Sequence, residues 1–209
     1  MKFRLPKIYP ITDTRISGLS HLEQVKRLVS GGACLIQLRE KNASSREFFE
    51  AARDVVAFAR DKNLKIIIND RVDIAIAAKA DGVHLGQDDL NPVEARKLLG
   101  ETAIIGYSTH TVEQALLAAD MPIDYAAFGP IFETGSKKDH DPIVGIAGLK
   151  TIRSSIGNLP LVAIGGITSE TLDGVLKSGA DSAAMIGSIL SDPENIADEF
   201  RKLSTIGQH

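Results

Sequence analysis

The chain has 209 residues, of which 44% are hydrophobic and 24% charged, with 24 Lys and Arg against 27 Asp and Glu. A length of this order fits one domain whose core is large enough to fold without a disulfide or a structural metal. The net charge of −3 gives no electrostatic reason to expect a nucleic-acid partner, and a single cysteine, Cys34, excludes an intrachain disulfide framework and a four-cysteine zinc site.

Targeting signals and membrane spans are not expected. The first residues are charged and reach Pro6 before an apolar run forms, and no apolar stretch approaches the roughly 18 residues of a membrane helix. We therefore expect a cytoplasmic protein without a membrane partner, in a reducing compartment. Cys34 is expected to pack as a small apolar core residue.

Short runs rich in Val, Ile and Ala alternate with longer amphipathic segments along the whole chain. The predicted strands are 8–12, 34–39, 65–69, 82–85, 103–108, 125–128, 161–164 and 182–186. The predicted helices are 21–30, 45–62, 72–78, 92–99, 112–119, 146–155, 169–177 and 195–203.

Several predicted strands, such as 65–69 and 161–164, are apolar throughout rather than alternating. This pattern is typical of parallel strands that are covered by helices on their outer face and buried on the other. Eight strand–helix pairs fit either a closed barrel or an open doubly wound sheet, and no strand has the polar character of a sheet edge. We predict a single-domain α/β fold over 1–209, a (β/α)8 TIM barrel whose active site lies at the C-terminal ends of the strands.

The second strand ends in a polar stretch. The two-residue period of a strand places Gln37, Arg39 and Lys41 on one face. Arg offers a two-pronged donor and Lys a point charge, so this triplet suits an anion. A solvated strand end is the alternative interpretation.

Two aspartates follow neighbouring strands at the same end of the predicted barrel. Asp70 follows strand 3 and Asp89 follows strand 4. One or two carboxylates together with water and substrate phosphate oxygens form a common Mg²⁺ site, although an Asp in this position can also cap a helix. With Arg39 and Lys41 nearby, the combination indicates a pyrophosphate ligand.

The remaining candidates follow strands 5 to 8. Ser108 can reach a ligand or cap a helix, and it lacks the Gly-x-Ser-x-Gly context of a nucleophile. The longest connection, after strand 6, carries two hydroxyls and a cation, which suit a phosphate lid or else form a solvated charge run. These three residues are Thr134, Ser136 and Lys137. Gly165-Gly166 after strand 7 and Ile186-Gly187 after strand 8 are typical of a barrel phosphate site.

Seven segments, taken in order, resemble the thiamine-phosphate synthase (thiamine-phosphate pyrophosphorylase) family. They begin at 9, 37, 69, 82, 106, 129 and 163, and they read YPITD, QLREK, NDRVDIA, GVHLGQDD, GYSTHT, GPIFETGSK and AIGGI. The resemblance implies a barrel that joins 4-amino-2-methyl-5-hydroxymethylpyrimidine pyrophosphate to a thiazole phosphate, releasing pyrophosphate with Mg²⁺. Members of the family commonly form dimers or larger assemblies, so the resemblance also implies a homo-oligomer, of which a homodimer is the simplest form.

The same resemblance assigns roles to the candidate residues. Asp70 and Asp89 would hold the metal, and Ser108 would lie beside the pyrimidine. The residues expected to bind the pyrimidine pyrophosphate are Gln37, Arg39, Lys41, Asn69 and Lys137. Those expected to bind the thiazole phosphate are Thr134, Ser136, Gly166 and the backbone of Ile186 and Gly187. The chain departs from the family pattern at Glu133, often a proline, and at Gly187, often a serine.

Neutralising the pyrophosphate charge would allow a dissociative reaction in which Arg39, Lys41, Ser108 and Lys137 are the catalytic groups and no strong base is needed. Three alternatives are a thiazole tautomerase on the same barrel, a silent regulator that binds a phosphorylated ligand, and a sugar-phosphate isomerase. The paired aspartates and the cations favour the synthase over all three.

Overall fold

A computed structural model describes residues 4–134 and 142–206. Within them, eight parallel strands pair in chain order and close into a barrel where β8 pairs with β1. The strands are β1 (Ile8–Thr12), β2 (Leu35–Leu38), β3 (Lys65–Asn69), β4 (Gly82–Leu85), β5 (Ile104–Thr109), β6 (Tyr125–Phe128), β7 (Leu161–Ile164) and β8 (Ser182–Met185). The predicted barrel is confirmed, and the open sheet is not formed.

Helices connect successive strands and surround the barrel. The α-helices of the described residues are α1 (Thr14–Ser17), α2 (His21–Ser30), α3 (Ser45–Ala59), α4 (Val72–Ala78), α5 (Pro92–Leu99), α6 (Val112–Ala119), α7 (Gly145–Ser155), α8 (Ser169–Lys177), α9 (Gly187–Leu190) and α10 (Ile196–Ile206). The four-residue helices α1 and α9 were not predicted, because one turn is too short to show a helical period. Helix α3 ends three residues before the predicted position 62.

Both faces of the strands are buried, which explains their continuously apolar sequences. Residues that alternate along each strand belong to two separate clusters, one inside the barrel and one between strands and helices. In β3, for example, Ile67 lies inside, whereas Ile66 and Ile68 pack against the helices. The inner cluster consists of Tyr9, Ile11, Leu35, Ile67, Ile104, Tyr125, Ala127, Val162 and Ala184.

The inner cluster gives way to polar side chains at the C-terminal end of one half of the barrel. On β2 to β5 the inward positions nearest that end are Gln37, Asn69, His84 and Ser108. On β6 to β8 they are Ala127, Ile164 and Ala184. The alternation that buries the core therefore also creates a mouth whose floor is polar on one side and apolar on the other.

The prediction for Cys34 is wrong, because this residue is exposed. Strand β2 begins one residue later than predicted, at Leu35, and the backbone carbonyl of Cys34 accepts a hydrogen bond from the Lys65 N–H at 2.9 Å.

Among the described residues, none of the helices has the length and apolar character that crossing a bilayer requires.

Gly82 offers a test of this packing, because a methyl group there would clash with the backbone carbonyl oxygen of Ile104 on the paired strand β5. We expect Gly82→Ala to lower the free energy of unfolding by at least about 2 kcal/mol through overpacking. Gly174→Ala, in helix α8, meets open space and should raise it by about 0.5–1 kcal/mol because alanine favours the helix. Urea unfolding of both variants checks the prediction, and equal effects would contradict it.

Candidate active site

A cavity of about 690 Å³ opens at the C-terminal ends of the strands. All predicted site residues in the described part of the chain line it: Gln37, Arg39, Lys41, Asn69, Asp70, Asp89, Ser108, Thr134, Gly166, Ile186 and Gly187. Two further predicted residues, Ser136 and Lys137, lie outside the described residues. Candidates separated by up to 150 positions in sequence thus share one space.

Arg39 is held in place by an aspartate that the sequence analysis did not assign to the site. Strand β2 ends at Leu38, and the Arg39 Nη1 donates to Asp13 Oδ2 at 2.7 Å. Both side chains are largely buried, with 11% and 4% of their surfaces exposed. Asp13 also caps α1 by accepting from the Arg15 backbone N–H at 3.0 Å. The guanidinium is therefore oriented before any ligand arrives.

Glu40 stabilises the loop that carries Arg39 and Lys41. Its carboxylate accepts from the Thr14 hydroxyl at 2.9 Å and from the Asn42 backbone N–H at 2.8 Å, and it lies 3.4 Å from His21 Nε2. Burial by itself would raise the pKa of Glu40, but these hydrogen bonds and His21 outweigh burial and lower it. Glu40 is therefore a charged anchor of the loop.

Lys41 forms an ion pair with the first of the two candidate metal ligands. The distance from Lys41 Nζ to Asp70 Oδ2 is 2.5 Å. Asp70 has a φ of 62°, in the left-handed region that is uncommon for a residue other than glycine. Its backbone N–H donates to the His84 carbonyl at 2.8 Å, which continues the β3–β4 pairing by one residue. The extended conformation of β3 therefore ends at Asn69, and Asp70 does not continue the alternation of side chains along the strand.

The Asp89 carboxylate lies beside Asp70 in the same part of the cavity. Asp89 Oδ2 accepts from the Gly86 backbone N–H at 2.6 Å. Burial raises the pKa of the Asp89 carboxyl, and the nearby negative charge of Asp70 raises it further. Two carboxylates in this arrangement favour a shared cation.

Helix capping, the alternative interpretation of these aspartates and of Ser108, is not what the structure shows. Helix α5 is capped by Asn91 and α6 by Thr111, while α4 begins after Arg71 without a side-chain cap. Neither aspartate is therefore used as a helix cap; Asp70 pairs with Lys41, and Asp89 accepts from the Gly86 N–H. Among residues 4–134 and 142–206, no group of three His, Cys, Asp or Glu side chains could hold a metal, so these two carboxylates would need water or substrate oxygens to complete a coordination shell.

The floor of the cavity contains a continuous series of side-chain hydrogen bonds. Gln37 Nε2 donates to Tyr9 Oη at 3.1 Å, and the Tyr9 and Tyr125 hydroxyl oxygens are 3.0 Å apart. His84 bonds to Tyr125 Oη through Nδ1 at 3.1 Å and to Ser108 Oγ through Nε2 at 2.9 Å. Sequence reasoning connected Gln37 and Ser108 with the site but missed the three residues between them.

The loops that follow β6 and β7, which the sequence analysis linked to phosphate binding, contact each other through their backbones. Gly165 and Gly166 have φ values of 102° and 62°, and the Phe132 N–H donates to the Gly165 carbonyl at 3.0 Å. A methyl group on Gly166 would clash with the carbonyl oxygen of Glu133. Both the conformation and the close approach therefore require glycine, and the turn leaves backbone groups facing the cavity.

The ion pair between Asp13 and Arg39 can be tested by Asp13→Asn. The amide can still accept the hydrogen bond that caps α1, but it leaves the buried guanidinium without its counter-charge. We expect the free energy of unfolding to fall by about 3 kcal/mol. Asp54→Asn, which removes an exposed carboxylate paired with Arg53, should change it by less than about 0.5 kcal/mol. Chemical denaturation measures both, and a negligible loss in Asp13→Asn would refute the orienting role.

Comparisons with known proteins agree with this geometry. The family model described as thiamine monophosphate synthase matches residues 8–189. Thiamine-phosphate synthase of Clostridium novyi is 46% identical over 190 residues, which cover 90% of this chain and 92% of the relative, and that of Koribacter versatilis is 43% identical, with 96% of each covered. The solved thiamine phosphate pyrophosphorylase from Pyrococcus furiosus superposes with a TM-score of 0.87 at 35% identity, covering 97% of this chain and 95% of that one. The chain belongs to the thiamine monophosphate synthase family.

Proposed function

We propose that this protein joins 4-amino-2-methyl-5-hydroxymethylpyrimidine pyrophosphate to a thiazole phosphate, giving thiamine phosphate and pyrophosphate. Family membership over most of the chain supports the reaction. The observation that carries it is the content of the single mouth of the barrel, where Asp70, Asp89, Lys41 and Arg39 share a cavity with the Gly165-Gly166 turn. This cavity offers acidic groups for a metal, cations for a pyrophosphate and backbone groups for a second phosphate.

The acidic pair suits Mg²⁺. Two carboxylates lie close enough for the charge of Asp70 to raise the pKa of Asp89, an unfavourable proximity that a divalent cation would relieve. Mg²⁺ commonly keeps several waters and binds one or two carboxylates together with substrate phosphate oxygens. Bound there, the metal would supply charge neutralisation of the pyrophosphate leaving group.

The chain's own cations would neutralise the rest of that charge. Arg39 is already oriented by Asp13, and Lys41 can move between Asp70 and an incoming pyrophosphate because half of its side chain is exposed. Lys137 would add a third positive charge. Gln37 and Asn69, on the cavity floor, would contact the same substrate, and Ser108 would lie beside its pyrimidine ring.

In this proposal the carbon–oxygen bond to pyrophosphate breaks first, and both electrons leave with the pyrophosphate. The 4-amino group of the pyrimidine stabilises the methylene cation that remains. The thiazole nitrogen then donates its electron pair to that carbon and forms the new bond. No group has to remove a proton, so the residues act by positioning and charge stabilisation.

The thiazole phosphate would bind on the β7–β8 side of the cavity. Its expected contacts are Thr134, Ser136, Gly166 and the backbone of Ile186 and Gly187. The Gly166 turn fits this role because its close contact with the Glu133 carbonyl holds it in one position. Glu133 itself is exposed, and Gly187 contributes backbone only. A homodimer and a cytoplasmic location are further expectations, which sedimentation equilibrium and cell fractionation would test.

The proposed metal site is tested by Asp70→Asn. With both substrates and Mg²⁺, we expect the wild-type protein to release pyrophosphate and form thiamine phosphate, and the variant to lose at least about 100-fold in kcat/KM because one charged ligand is missing. Calorimetric binding of pyrophosphate should depend on Mg²⁺ in the wild type and lose that dependence in the variant. The matched control is Asp54→Asn, which should keep both properties.

Two outcomes would contradict the proposal. Release of pyrophosphate that is unaffected by chelation would remove the metal from the reaction. A folded protein that binds thiazole phosphate but forms no thiamine phosphate would point to the tautomerase or the silent regulator, and a tautomerisation assay would separate these two.

The order of bond breaking makes a second prediction. An electron-withdrawing substituent on the pyrimidine, such as trifluoromethyl in place of the 2-methyl group, destabilises the methylene cation. We expect it to slow single-turnover formation of thiamine phosphate by about 100-fold or more, equivalent to roughly 3 kcal/mol of transition-state destabilisation. An unchanged rate would rule out the dissociative order.

A further inference from the structure

The hydrogen bonds across the cavity floor lie deep inside the barrel. Tyr9 and Tyr125 have 1% and 0% of their surfaces exposed, and His84 has 7%. Burial raises the pKa of both tyrosines, so their hydroxyl groups stay protonated at neutral pH. Each hydroxyl therefore has one proton to donate and an oxygen that can accept.

Gly106 on β5 makes the central contact of this series sterically allowed. A methyl group at position 106 would clash with the Tyr125 hydroxyl and would lie 2.5 Å from His84 Nδ1. The φ of Gly106 is not among the positive values, so glycine is needed here for space rather than for backbone conformation. The barrel wall is thus shaped to admit the bond between Tyr125 and His84.

The hydrogen bond from Gln37, at one end of this series, determines which way the tyrosine hydroxyl protons point. Gln37 Nε2 donates to the Tyr9 oxygen, and among the described residues the Tyr9 hydroxyl contacts only Gln37 and Tyr125. If Tyr125 donated to Tyr9, the buried Tyr9 proton would have no acceptor within the described part of the chain, a loss of about 1–3 kcal/mol. Tyr9 therefore donates to Tyr125.

The direction then continues to the other end of the floor. Tyr125 accepts from Tyr9 and donates its own proton to His84 Nδ1, so that Nδ1 is the acceptor nitrogen and Nε2 carries the ring proton. That Nε2–H donates to the Ser108 oxygen. The Ser108 proton is then directed into the cavity, and at the opposite end Gln37 Oε1 is left as an acceptor.

We propose that Tyr9, Tyr125 and His84 are positioning residues that set the hydrogen-bond polarity of the cavity floor, so that Gln37 presents an acceptor and Ser108 a donor to the substrate ring. This inference rests on the proposed function, because a heteroaromatic ring with an amino donor and ring-nitrogen acceptors fits that polarity. A ring with the opposite pattern would face two mismatched contacts. This series of hydrogen bonds therefore acts as a specificity element for an aminopyrimidine through its two ends, Gln37 and Ser108.

The tautomer of His84 is the direct test, and it requires no activity. In ¹⁵N-labelled wild-type protein we expect a pyridine-type shift for His84 Nδ1 and a pyrrole-type shift for Nε2, with signals assigned by comparison with His84→Gln. In Tyr125→Phe the Nδ1 donor is gone, and the shifts should move toward an average of the two tautomers. A protonated Nδ1 in the wild type would overturn the proposal.

Kinetics test whether the polarity acts through Ser108. We expect Tyr125→Phe to raise the KM for the pyrimidine pyrophosphate about five- to tenfold, the effect of one hydrogen bond to the ligand, and to leave the KM for thiazole phosphate unchanged. In a Ser108→Ala background the same substitution should have no further effect. Tyr107→Phe, which removes a hydroxyl from β5 outside the cavity lining, is the matched control and should change neither constant.

The outcomes separate this inference from the proposed function. An unchanged KM in Tyr125→Phe, or an equal increase in KM with and without the Ser108 hydroxyl, would overturn the role of this hydrogen-bond series. Either result would leave the synthase activity intact. A wild-type protein that forms no thiamine phosphate would sink the proposed reaction, and the ¹⁵N shifts would still decide the direction of the hydrogen bonds. If Tyr125→Phe does not fold, Tyr9→Phe interrupts the same series one bond earlier and should raise the same KM.

Discussion

Parallel pairing that closes on itself is the constraint on which the rest of this structure depends. Because each strand pairs in parallel with the next and β8 pairs with β1, all eight strands point the same way and alternate side chains face a shared interior. The strand ends then meet at one mouth, so that residues as distant in sequence as Gln37 and Gly187 line the same cavity. The chemistry of the site is a consequence of where the apolar alternation stops.

The fold was accessible from sequence because its signal is local and repeated. Each of the eight apolar runs, and each amphipathic segment between them, can be recognised from a short stretch of the sequence. The site residues follow the predicted strand ends. The tyrosines of the cavity floor were not accessible in the same way. Tyr9 and Tyr125 look like ordinary strand residues, and their contact joins positions 116 apart. Only the closed geometry brings their hydroxyl groups together.

The exposure of Cys34 and the ion-pair partners of Arg39 and Lys41 could not be predicted from local sequence patterns either. Cys34 was misplaced because a shift of one residue at a strand start decides whether a side chain is buried. Arg39 and Lys41 were recognised as cations, but their acidic partners come from other segments, Asp13 after β1 and Asp70 after β3. Electrostatic complementarity across loops requires knowing which loops are neighbours, whereas charge type alone is visible in the sequence.

Asp13 serves two neighbouring segments, since it ends the β1 loop by capping α1 and holds Arg39 after β2. Loss of Arg39 by mutation would leave a buried carboxylate without a counter-charge, and loss of Asp13 would do the same to the guanidinium. A substitution at only one of the two positions therefore gives a destabilised variant. The two residues should evolve together, so that divergent homologues either keep both or replace both.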